Sequence, residues 1–240
     1  MLTKRTLTSI AAGLLAVTLV APAYGFSLNK SIKVEAGSES GGHSTLNGSI
    51  SVGNDAIVNG DLETVNGTIR VDDTARIQDA GTVNGSVRIG SGVNTRDLSS
   101  VNGSISVGGN STVDGKISVV NGRISLDQGS SVSNDVSNVN GEIEISGAGI
   151  GGDLTTVNGD VSLTGNATLS GDLVVEEPNG GNWHSDRRKP RIVVGPGARV
   201  LGEIRLEREV ELYISETAEV GGVSGVMTMD DATRFSGEHP

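Results

Sequence analysis

The sequence predicts an all-β chain wound as a single-stranded, three-sided parallel β-helix, a solenoid with about 18–19 residues in each coil. Three observations carry that prediction. First, the phrase Val-Asn-Gly, or Leu-Asn-Gly at its first occurrence, recurs with its asparagine at Asn47, Asn66, Asn84, Asn102, Asn121, Asn140 and Asn158. A weaker copy, Asn29-Lys30-Ser31-Ile32-Lys33-Val34, stands one period upstream. Second, alignment on these asparagines produces columns of like residues, as stacked repeats require. Third, the chain has 36 glycines and only 2% aromatic residues, which suits tight corners and a thin core of small branched side chains.

Taken in order, residues 1–25 read as a secretory signal peptide. Lys4 and Arg5 form its basic start, Ile10 to Val20 its apolar run, and Ala21-Pro22-Ala23 its cleavage site. The run is shorter than the roughly 20 residues that span a bilayer, so the mature chain is expected to lack a membrane span and to reach the periplasm, the cell surface or the medium of a bacterium. No cysteine follows the run to carry a lipid anchor. Loss of Lys4 and Arg5 makes the net charge of −11 two units more negative, which argues against nucleic acid and anionic membranes as partners. With no cysteine there is neither a disulfide nor a thiol nucleophile, so backbone and packing must hold an exported fold together.

Residues 26–225 carry the coils. Ile50, Ile69, Val87, Ile105, Ile124, Ile143 and Val161 form one column, and Val52, Val71, Ile89, Val107, Leu126, Ile145 and Leu163 another two places on. The residue between them is usually Ser, Arg or Glu, and that alternation marks a strand with one buried face. Leu46, Val65, Val83, Val101, Val120, Val139 and Val157 precede the asparagines, and Leu62, Ala80, Leu98, Ile117, Val136, Leu154 and Leu173 mark a further strand. The third side has Val58, Val113, Val132, Ile150 and Leu169, with Arg76 and Asn94 breaking the column. Asn-Gly is also a strong hairpin signal, but an array of hairpins needs a second turn in each period, whereas stacked coils explain the constant columns. Residues 178–190 read as a loop inserted in the solenoid, regular coils resume at Ile192, and 226–240 form a loose tail or a cap.

The phrase Ile192-Val193-Val194-Gly195-Pro196-Gly197-Ala198-Arg199-Val200-Leu201-Gly202-Glu203-Ile204 resembles the coils of bactofilins, the polymer-forming bacterial β-helix proteins. The repeated Val-Asn-Gly-x-Ile-x-Val is similar to the putative-adhesin β-strand-repeat families of bacteria. The bactofilin resemblance implies a right-handed three-sided helix and end-to-end polymerisation. Bactofilins are cytoplasmic, whereas this chain carries an export signal.

Several columns and one loop are candidate sites. The amides of Asn29, Asn47, Asn66, Asn84, Asn102, Asn121, Asn140 and Asn158 either form a structural ladder inside the stack or occupy left-handed corners. Asp61, Asp79, Asp97, Asp135, Asp153 and Asp172 form an acidic column, interrupted by Lys116 and continued by Glu203. These carboxylates either bond to turn N–H groups or make a weak string of divalent-cation sites. Trp183, His184, Arg187, Arg188 and Lys189 in the inserted loop are the candidate partner-binding group, fit for a glycan or a protein. His43, His184 and His239 are scattered, so neither a catalytic constellation nor a cofactor site is expected, and flat walls offer no evident pocket. The expectation is a non-catalytic structural or adhesin-like protein that forms a homo-oligomer or filament, or binds a partner in the cell envelope. A carbohydrate- or protein-binding module built on the loop is the alternative, and a polysaccharide-active enzyme trails it.

Overall fold

The computed structural model describes residues 26–178 and 188–240, and shows a parallel β-solenoid. The expected signal segment and Trp183, His184 and Arg187 lie outside the described residues. Every pairing between strands is parallel, and each strand pairs with its counterpart in the next coil. Like sits on like as a result: Ile50 registers with Ile69, Val87 with Ile105 and Ile124 with Ile143. A hairpin array, which needs antiparallel partners, is excluded.

Three stacks form the walls. The first holds the residues leading into each asparagine, such as Leu62–Asn66, Ala80–Asn84 and Leu98–Asn102. The second is an eleven-stranded stack of Ile-x-Val segments, from Ile32–Val34 to Thr233–Phe235. The third is made of two-residue strands such as Thr112–Val113 and Ser131–Val132. Near the C-terminal end Arg199–Leu206 runs through a corner and pairs within both the third and the first walls. At a spacing of ~4.8 Å, about ten coils make a rod ~45 Å long.

The core is a narrow channel of Ile, Val and Leu with nearly every member sealed from water. Each such side chain contributes roughly 1.5–3 kcal/mol by burial, and no aromatic ring is needed because each layer has room for only a few branched side chains. The third wall is not broken as the sequence suggests. Ile77 and Thr95 occupy its inward positions, while Arg76 bridges Ile57 and Asn94 through its backbone and keeps its side chain outside. The reason is local. Val58 and Leu62 enclose Asn59, Gly60 and Asp61, but Ile77 and Ala80 enclose only Gln78 and Asp79, so a one-residue deletion at that corner shifts any alignment counted back from the aspartates.

Apart from Gly141 (φ +130°), left-handed backbone lies at a different corner from the Val-Asn-Gly phrase. Between the second and third walls, Asp55, Thr74, Asn110 and Asn166 adopt positive φ, alongside Gly92, Gly129 and Gly197. Thr74 is β-branched and costly there. Its hydroxyl donates to Asp55 Oδ1 at 2.6 Å, which offsets part of the strain.

The two ends differ. Met227, Met229 and Ala232 pack against the core and Phe235 is buried, so the tail covers the C-terminal end. At the inserted loop, Asp160 and Arg191 are 31 residues apart in sequence, yet Arg191 N–H bonds to the Asp160 carboxylate across the usual one-coil gap. The second wall therefore continues directly from Val161–Thr164 to Arg191–Val194.

Candidate functional surfaces

The asparagine column is a continuous hydrogen-bonded ladder on the outside of the rod. The Nδ2 of each residue donates to Oδ1 of the asparagine one coil earlier, from Asn47 to Asn29 at 2.8 Å through to Asn158 to Asn140 at 2.9 Å. All eight side chains are exposed and none has positive φ, so neither the interior position nor the left-handed role holds. All donors point toward the N-terminal end, which gives the ladder a polarity. At its acceptor end Arg208 donates to Asn158 Oδ1 at 2.9 Å and to the Val157 carbonyl.

From Asn47 onward, the glycine after each asparagine is required by close approach. A Cβ on Gly67, Gly85, Gly103 or Gly122 would fall well inside 3.0 Å of the carbonyl oxygen of the equivalent glycine one coil earlier. Two residues before each asparagine, an inward hydroxyl braces this corner: Thr64, Thr82 and Ser100 donate to the carbonyls of Gly48, Gly67 and Gly85. Asn138 does the same through its amide, and Val119 interrupts the series. This buried polar column escapes a search for apolar periodicity, although its recurring Thr or Ser at a fixed offset is visible in the sequence.

The acidic column also forms a ladder, to backbone rather than to itself. Oδ1 of Asp61, Asp79, Asp97, Asp135, Asp153 and Asp172 accepts the N–H of the matching residue in the next coil, at 2.9–3.3 Å. Arg96 and Arg205 pair with the carboxylates of Asp79 and Asp172. Among the described residues no group of three His, Asp or Glu side chains is arranged to hold a metal ion. Burial, with Asp61 and Asp97 nearby, pushes the Asp79 carboxyl up despite Arg96 and the N–H it accepts, and burial beside Asp61 and Asp79 raises Glu63.

Of the loop group, Arg188 and Lys189 are described. Arg188 pairs with Asp160 at 2.5 Å and Lys189 with Glu209 at 2.7 Å, so both fold back onto the rod. His43 is half-buried at the start of the second strand of the first wall, 3.1 Å from Ser40 Oγ, and burial lowers its pKa. His239 instead lines a cleft of about 630 Å³ between the second wall and the tail, with Glu142, Glu144, Asp160, Arg191 and Glu238. The flat walls thus do carry a pocket, because the tail returns along the outside of the second wall. Arg123 pairs with Glu142 and Glu144 beside it, and the Arg191 guanidinium lies 4.8 Å from the Tyr213 ring centroid.

Among the described residues no helix is long and apolar enough to cross a membrane. No family model, curated protein or solved structure matches the chain.

Proposed function

We propose that this protein is an exported, non-catalytic structural rod, acting in the periplasm or at the cell surface, that joins copies of itself through its first coil. The observation that carries the reading is the inequality of the two ends. Phe26–Ser27, Ile32–Val34 and Glu39–Ser40 each stand last in their stacks, paired on one edge only among the described residues, while the tail covers the far end. An unpaired strand edge is a template for another strand.

The second wall shows which groups are free. Ile32 N–H bonds to the Ser49 carbonyl and the Val34 carbonyl accepts Gly53 N–H, so by alternation the N–H and C=O of Lys33 face outward along the axis. The Lys33 ammonium is paired with Glu35 at 2.8 Å, which reduces the charge that would otherwise blunt the edge. The bactofilin resemblance and the leader-like residues 1–25 support polymerisation and export respectively.

Sedimentation and electron microscopy of the mature chain test this reading, with Lys33→Pro as the variant. Proline removes an outward N–H that serves no bond among the described residues. Wild type should associate with rising concentration and the variant should remain monomeric at an unchanged melting temperature. A monomeric wild type, or equal association of the variant, refutes the proposal.

A further inference from the structure

We infer that Arg70 and Arg88 form a binding site for the anionic groups of an acidic polysaccharide on the outer face of the second wall. The two residues are direct partners in neighbouring coils, ~4.8 Å apart along the axis. Both side chains are exposed, and neither has an ion-pair partner among the described residues. Arg96, Arg123, Arg188, Arg199 and Arg205, by contrast, are all paired with carboxylates. Like charges in direct register oppose pairing of the strands that carry them, and on an acidic protein this pair is a local reversal of sign. An oxyanion bridging the two guanidinium groups relieves that repulsion and uses their planar donor geometry.

The surroundings select the kind of anion. Ser51 and Ser106 continue the same outward column on either side, and Ser49, Thr68, Ser86 and Ser104 form the half-buried column beside it. No carboxylate occurs in either column from Ser49 to Ser125. The nearest along the chain are Asp72 and Asp73; Asp73 Oδ1 accepts Ser91 N–H at 2.8 Å at the following corner, and neither forms an ion pair with Arg70 among the described residues. Hydroxyls arrayed around two guanidinium groups suit a polymer that carries both hydroxyls and carboxylates or sulfates. Single-stranded nucleic acid needs aromatic stacking platforms, and neither column carries an aromatic residue; the net charge of −11 opposes every polyanion at long range, so the arginine pair must act by local contact. The patch lies on a flank of the rod, so sugar binding and end-to-end association fail independently.

Affinity electrophoresis of the full chain in gels containing polygalacturonate, dextran sulfate or neutral dextran tests the inference. Arg76, exposed on the third wall and also without an ion pair among the described residues, supplies a control for the loss of a surface arginine. Wild type should be retarded by at least one anionic polymer and not by dextran, with retardation weakening as salt rises. The double variant Arg70→Ser, Arg88→Ser should lose about tenfold in affinity while Arg76→Ser keeps it. Circular dichroism should show all three proteins folded, since the substituted side chains make no ion pair among the described residues. No retardation by either anionic polymer, equal losses in the control, or tighter binding to oligonucleotides or anionic vesicles overturns the inference.

Discussion

Arg208 donates to Asn158 Oδ1 at 2.9 Å and thereby closes the acceptor end of a ladder of seven amide–amide bonds. Aligned amides polarise one another, so a cation is favoured at the end where carbonyl oxygens point outward. Arg208 reaches this position from two coils beyond Asn158; the intervening coil has Glu177, which cannot continue the amide series.

Substitution in the middle of the ladder breaks two bonds at once. Asn102→Ala removes the donor to Asn84 and the acceptor for Asn121, and should cost about 1–2 kcal/mol. Asn158→Ala and Arg208→Met should be less than additive in a double-mutant cycle read by thermal melting. Additivity, or an Asn102→Gly variant that melts like wild type, would show that the ladder contributes nothing.

Glycine at the same corner should be irreplaceable for steric reasons. Gly103→Ala places a methyl group against the Gly85 carbonyl and should destabilise by about 1–3 kcal/mol, the usual cost of overpacking. Gly149→Ala is the matched control, since nothing lies within 4 Å of its would-be Cβ and its φ is ordinary. It should be tolerated in the same urea titration.

The buried carboxyls Glu63, Asp79 and Glu176 should gain stability as pH falls from neutrality into the mildly acidic range, against an opposing loss at His43 and Glu209, whose pKa values the fold lowers. Burial raises the pKa of Glu63, Asp79 and Glu176, with Asp61 and Asp79 adding to the effect at Glu63 and Glu207 at Glu176. A carboxyl whose folded pKa lies above its unfolded value binds its proton more tightly in the folded state. Its contribution is therefore present at low pH and lost as pH rises through the unfolded and then the folded pKa. Glu63→Gln should raise the melting temperature at pH ~7 and flatten its dependence between about pH 4 and pH 7. A Glu63→Gln variant with the wild-type melting temperature and the wild-type pH dependence would contradict this.

Much of the fold is legible because the repeat is written in side chains that face each other. The Ile-x-Val columns give the second wall, and the spacing of Asn47 through Asn158 gives the coil length. Three features are not legible for physical reasons. Val65, Val83 and Val101 are apolar yet face outward and remain partly exposed, because alternation from the buried Leu62, Thr64 and their equivalents fixes their direction. Thr64 and Thr82 are polar yet buried, because a glycine carbonyl awaits each hydroxyl. The cleft at His239 depends on where the tail returns, which no local pattern encodes.

Spin-label distances along the second wall test the stacking most directly, and the absence of native cysteines makes the labelling clean. Cysteines at Ser51 and Ser125 are four coils apart, and at Ser51 and Ser162 six. In-register stacking predicts separations between backbone sites of ~19 Å and ~29 Å, growing by ~4.8 Å with each repeat. Separations that fail to grow linearly with repeat number would contradict the stacking on which both proposals rest.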